Sequence, residues 1–213
     1  AAIQTVSAAV IGYGFARFRI PGKPVLFALV LATFIIPPQI TMIPQFLMFR
    51  DLGLIGSVFS YLIPAALGQG FKSGLFILIF YQFFRAVPKA LEEAAQIDGA
   101  GAFRVFATIC VPMAVPAFII SFLFSMVWYW NETTLAALYL DGQLKTLPLQ
   151  LQNFAAAFQK MFPADPNYQT GQNLNEAILM AGTLLGMIPL LVVYFFTQRW
   201  FVESIERTGI TGE

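Results

Sequence analysis

Four apolar runs, over residues 25–46, 58–84, 108–127 and 177–197, contain one charged side chain between them, Lys72. Each is as long as the roughly 20 residues a helix needs to cross a hydrocarbon core of about 30 Å. The predicted fold is therefore all-α: a polytopic transmembrane helical bundle of four full spans and one partial span. The partial span is residues 1–16, too short to cross alone, so we expect an N-terminally truncated chain lacking one complete span and part of another. Apolar residues make up 58% of the chain and charged residues 11%, against about 25% charged in ordinary globular proteins. A mean hydropathy of +0.74 likewise excludes a soluble domain. The 23 phenylalanines suit lipid-facing surfaces.

The polar interruption from Arg85 to Pro112 reads RAVPKALEEAAQIDGAGAFRVFATICVP. Pro88 suits the first turn of a helix, where its missing N–H is not needed. Glu92 and Glu93 fall in the early, dipole-positive part of that helix, where carboxylates are favoured. Leu91, Ala94, Ala95 and Asp98 share one face at helical spacing, and its two alanines let another surface approach the backbone. Gly99 is placed to end the helix, since Gly accepts the left-handed conformation of a C-terminal cap. A second short helix is expected over about 102–109. Pro112 should then restrict Val111 before the next apolar run.

This stretch resembles the cytoplasmic motif of the bacterial ABC-importer permeases: E-A-A, three residues, G, nine residues, I, one residue, L-P. Here it is Glu93-Ala94-Ala95, Gly99, Ile109, Val111 and Pro112, with Val111 in place of Leu. ARFRIPGK, IPPQITMIPQF, QFFRAVPKALEEAAQIDGAG, WYWNE and QRWF are similar to the carbohydrate-uptake, maltose permease-like branch. The resemblance implies a type I importer permease forming one transmembrane domain over 1–213, with a cytoplasmic coupling loop over 85–106. In that family Glu93, Ala94, Ala95, Asp98, Gly99, Ile109 and Pro112 would couple the spans to a separate ATPase. The implied partners are an ATP-binding-cassette ATPase dimer, a second permease subunit, an extracytoplasmic solute-binding protein and membrane lipid. ATP and magnesium would be bound by the ATPase, with no cofactor in this chain. The implied location is the cytoplasmic membrane of a bacterium or archaeon, and the implied cargo is a sugar or oligosaccharide.

Charge placement gives the orientation independently. Arg17, Arg19, Lys23, Arg85, Lys89, Arg104, Arg199 and Arg207 fall on one side of the expected spans, and Arg50, Lys145 and Lys160 on the other. The excess of cations puts the 85–106 loop in the cytoplasm and the 131–175 region outside.

Several residues have two readings. Lys72 lies 13 residues before Arg85, or about 20 Å along a helix. It either snorkels to the outer interface or, with Gln69 and Ser73 on the same face, lines a pathway. Pro37-Pro38-Gln39, with Thr41 and Gln45, is either a packing kink or a broken helix lining a cavity, where polar groups could hydrogen-bond a polyhydroxyl solute. Trp128, Tyr129 and Trp130 read as an interfacial belt, after which Asn131 and Glu132 are either a plain helix end or a substrate gate. Gly182 and Gly186 form a G-x-x-x-G close-packing motif.

Enzyme chemistry finds little material. The chain has no His and one Cys, Cys110, so a metal cluster or a His-based triad cannot be assembled. It has no G-x-x-x-x-G-K-[ST] phosphate loop. A net charge of +1 offers no field for nucleic acid. The alternatives are an ion-coupled secondary transporter, which needs intramembrane acids, and an intramembrane hydrolase. None of Glu92, Glu93, Asp98, Glu132, Asp141 and Glu176 falls within an expected span.

Overall fold

The computed structural model describes residues 1–161 and 176–209, and it is built of helices joined by short turns. In chain order these are α1 (Ala2–Arg17), α2 (Lys23–Ile35), α3 (Pro38–Asp51), α4 (Phe59–Ala66), α5 (Ser73–Ala86) and α6 (Lys89–Ile97). Next come α7 (Ala102–Val105), a π-turn (Phe106–Cys110), α8 (Val111–Met113), α9 (Val115–Asn131), α10 (Thr134–Tyr139), α11 (Leu147–Gln152), α12 (Phe154–Met161) and α13 (Glu176–Gly209). Residues 162–175, part of the 131–175 region expected outside, lie outside the described residues.

The apolar runs are not simple rods. Only Glu176–Arg199, within α13, is long and apolar enough to cross a membrane by itself among the described residues. The 25–46 run breaks where Ile36 and Pro37 are both extended, as a residue preceding proline tends to be. α2 and α3 consequently diverge by 98°. The 58–84 run breaks into α4 and α5 at a turn over residues 67–72. The 108–127 run breaks at Ala114, where the 102–113 segment and α9 meet at 76°. Val111 is helical (φ −62°, ψ −50°), contrary to the extended conformation expected before Pro112. The π-turn just upstream changes the helical pairing there, so the missing proline N–H and its ring are accommodated without ending the helix.

The core lies where α1 packs on α5. Phe76, Phe80 and Phe84 on α5 are fully buried, together with Ile77, and meet Ala8, Ala9 and Tyr13 of α1. Tyr13 stands edge-on to Phe84 at 5.5 Å, and Phe80 edge-on to Phe118 at 4.7 Å. These three phenylalanines form the packed centre, whereas others such as Phe59, Phe195 and Phe196 are exposed. Between helices in lipid, packing of this kind replaces the hydrophobic drive available in water. Of the three aromatics expected in the belt, Trp128 packs on Phe76, and Trp130 Nε1 donates to the Gly186 carbonyl at 3.3 Å. On α13, Gly182 faces the ring of Phe154 and Gly186 faces Leu151, so the G-x-x-x-G pair sits against α11 and α12.

Candidate functional site

Two regions at opposite ends of α5 bring functional side chains together. At the C-terminal end, α6 follows a bend of 71°. Pro88 is the residue before α6 rather than inside its first turn, and Glu92 is the acid of that first turn. The helix ends as a Schellman motif: the Ala100 N–H donates to the Ala95 carbonyl at 2.9 Å and Gly99 N–H to that of Gln96 at 3.0 Å. Gly99 has φ +82°.

The motif residues take different directions. Glu93, Ala94 and Asp98 are exposed, whereas Ala95 turns toward the core. The single face drawn through Leu91, Ala94, Ala95 and Asp98 is therefore split, because α6 lies on the bundle and the positions nearest it are covered. Ile109 packs against the core and Pro112 is exposed. Two side chains that sequence reasoning passed over stand out from the same surface: Ile97 is 87% exposed and Phe103 82%. Their signal was two large apolar residues inside an otherwise polar loop. Glu92 points the opposite way to its neighbour Glu93. It is buried against Arg17, with Glu92 Oε1 2.6 Å from Arg17 Nη2.

At the N-terminal end of α5 a cavity of about 180 Å³ opens among α3, α4, the 67–72 turn, α9 and α10. Gln69 and Lys72 line it, as do Thr41 and Gln45 of α3. Lys72 is not inside a helix sharing a face with Gln69. It precedes α5 in a left-handed conformation (φ 58°), because the turn that breaks the run reverses the backbone there. Its Nζ lies over the rings of Trp128 (5.3 Å) and Phe34 (5.5 Å), a geometry that favours a cation. Gln39 falls in a smaller adjoining recess that Glu132 also lines. Asn131 is on neither wall: its Nδ2 donates to the Val127 carbonyl at 2.9 Å along α9.

The cavity gains Tyr61 and Tyr139, which the sequence did not single out, and joins them to Ser73, Tyr129 and Glu132. The hydroxyls of Tyr61 and Ser73 are buried without a hydrogen-bond partner. Tyr129 Oη accepts from Phe71 N–H at 3.1 Å, and Tyr139 Oη donates to Gln45 Oε1 at 3.1 Å. Glu132 Oε1 accepts from the Leu135 N–H at 2.8 Å, so the carboxylate caps α10 while lining the cavity. Burial, and after it the Glu132 carboxylate, push the Tyr139 phenol above its ordinary pKa and keep it a neutral donor. Phenols, hydroxyls, side-chain amides and a carboxylate can together exchange hydrogen bonds with a polyhydroxyl solute.

Residues 8–207 match the family described as binding-protein-dependent transport system inner membrane component. A polygalacturonan/rhamnogalacturonan transport system permease protein of Bacillus subtilis is 31% identical over 214 residues, covering 99% of this chain and 72% of its own. An osmoprotective compounds uptake permease protein of Synechocystis is 33% identical over 193 residues, covering 91% and 60%. This chain also spans 61% of the length of a probable ABC transporter permease protein of Bacillus subtilis, so it corresponds to about three fifths of these last two relatives. The crystal structure of a bacterial ABC transporter that imports the acidic polysaccharide alginate aligns with a TM-score of 0.64 at 25% identity, covering 93% of this chain and 73% of that one.

Proposed function

The chain belongs to the family of binding-protein-dependent transport system inner membrane components, and from that premise we propose that it is the membrane-spanning permease subunit of an ATP-driven importer of a sugar or oligosaccharide. An extracytoplasmic binding protein delivers the solute. A second permease subunit completes the pathway, and a dimer of ATP-binding-cassette subunits binds ATP and magnesium and hydrolyses the ATP. The site is the cytoplasmic membrane of a bacterium or archaeon.

The observation that carries this reading is the reach of α5. Its first residue, Ser73, and the preceding Lys72 line the polar cavity, and its last turn leads into α6. Fourteen residues make a rod of about 21 Å. α6 presents Glu93 and Ala94, with Ile97 and Phe103 beside them, to the ATPase. Closure of the ATPase dimer around ATP carries α6 with it, α5 transmits the displacement, and the cavity opens to the binding protein. Hydrolysis resets it. Gln45, Tyr61, Gln69, Lys72, Ser73 and Glu132 contact the solute in transit, with Gln39 in the adjoining recess.

Reconstituted vesicles containing the permeases, the ATPase and the binding protein test this. Uptake requires ATP inside the vesicle together with loaded binding protein, and an imposed proton or sodium gradient alone drives none. Uptake that follows the ion gradient without ATP would instead establish a secondary transporter.

A further inference from the structure

α5 and α6 meet at Val87 and Pro88, which are both extended (φ/ψ −64°/126° and −60°/128°). Extended residues have no helical ladder to hold the 71° bend between the two helices. Arg17, the last residue of α1, bridges this joint. Its Nη2 donates to the Val87 carbonyl at 2.6 Å and lies 2.6 Å from Glu92 Oε1. The two side chains are only 9% and 11% exposed. The Cys110 thiol, at the end of the π-turn, donates to the same Glu92 oxygen at 3.6 Å. One guanidinium thus grips a carbonyl at the joint and a carboxylate in the first turn of α6, while a third element approaches that carboxylate.

Both contacts come from the one nitrogen Nη2, at the tip of a side chain longer than lysine's and permanently charged. Burial makes the pair interdependent, since either charge left alone would be uncompensated. Resting on the reading of α6 as the docking helix, we propose that Arg17 is a positioning residue for coupling. It fixes the α5–α6 angle, so that displacement of α6 by the ATPase is passed to α5 and α1 instead of being absorbed at Val87–Pro88.

The test uses the complete importer in proteoliposomes and three readouts: solute moved per ATP hydrolysed, amide hydrogen exchange in α6, and the cross-link from a Cys at Ala94 to the ATPase. Arg17→Gln is expected to leave the cross-link in place while solute moved per ATP falls by about tenfold or more. The α6 amides should exchange about tenfold faster as the joint loosens. Arg17→Lys, which keeps the charge on a shorter side chain, falls between Arg17→Gln and the wild type. Arg17→Gln with Glu92→Gln removes both buried charges and should assemble better than either single variant yet stay uncoupled. Should Arg17→Gln fail to assemble, Arg17→Lys and the double variant decide the matter. An unchanged coupling ratio with unchanged α6 exchange in the assembled variants overturns the proposal. Loss of the Ala94 cross-link already in the wild-type complex refutes the docking reading itself, and the role of Arg17 in coupling falls with it.

Discussion

Gly12 and Gly99 differ in what a side chain would meet. A Cβ at Gly12 would lie 2.7 Å from Phe80 Cβ and 3.0 Å from the Tyr81 backbone nitrogen, where α1 presses on α5. A Cβ at Gly99 would meet nothing within 4 Å, but the backbone there has φ +82°. The first glycine supplies space and the second supplies conformation. Gly12→Ala should therefore lower the thermal stability of the purified permease by about 1–3 kcal/mol through overpacking. Gly99→Asn should cost little, since Asn tolerates the left-handed region, whereas Gly99→Val should cost more than the roughly 1–2 kcal/mol of an ordinary residue there. Thermal melts of the three variants check this, and equal losses for Asn and Val at position 99 would contradict it. The cap at Gly99 was legible in the sequence because a cap is a local pattern. The opposite directions of Glu92 and Glu93 were not, because Arg17, which turns Glu92 inward, lies far upstream in the chain.

Among the helices, the breaks matter as much as the lengths. Pro37-Pro38 announced an interruption between α2 and α3, but the 98° angle depends on what each half packs against. The turn before α5 was visible only as Gly68, Gly70 and Lys72 in an apolar run. A straight-helix reading therefore put Lys72 on a face with Gln69 and Ser73, which left hidden that Ser73 shares a cavity with Tyr61. Their unpartnered hydroxyls give a discriminating experiment. Removing a buried, unsatisfied hydroxyl does not cost stability by itself, but removing one that a solute uses loses about 1 kcal/mol of binding. Ser73→Ala and Tyr61→Phe should leave melting unchanged or slightly raised, while the KM for uptake rises by about fivefold. An unchanged KM in both variants would remove these hydroxyls from the pathway.

At the scale of the molecule, the chain has the all-α fold of the type I importer permeases, and that class followed from the apolar runs and the Glu93 motif together. The sequence was less informative about what fills the centre. Phenylalanine was expected to suit lipid-facing surfaces, and Phe59, Phe195 and Phe196 are exposed, but Phe76, Phe80 and Phe84 are the core, because burial depends on which side of α5 meets α1, and composition does not distinguish the two groups. The resulting bundle has one end where Arg17, Val87 and Glu92 converge and another where Gln45, Phe49 and Tyr139 meet. The central claim is that the first of these ends docks the ATPase. The chain's one cysteine, Cys110, is buried, so an introduced thiol can be read without background. Cysteines placed singly at Ala94 and at Lys145, both exposed, and paired with cysteines introduced in the ATPase groove, give the measurement. The account predicts a cross-link from Ala94 in the assembled complex, strengthened or weakened by ATP as the dimer closes, and none from Lys145. No cross-link from Ala94, or one from Lys145 instead, would contradict it.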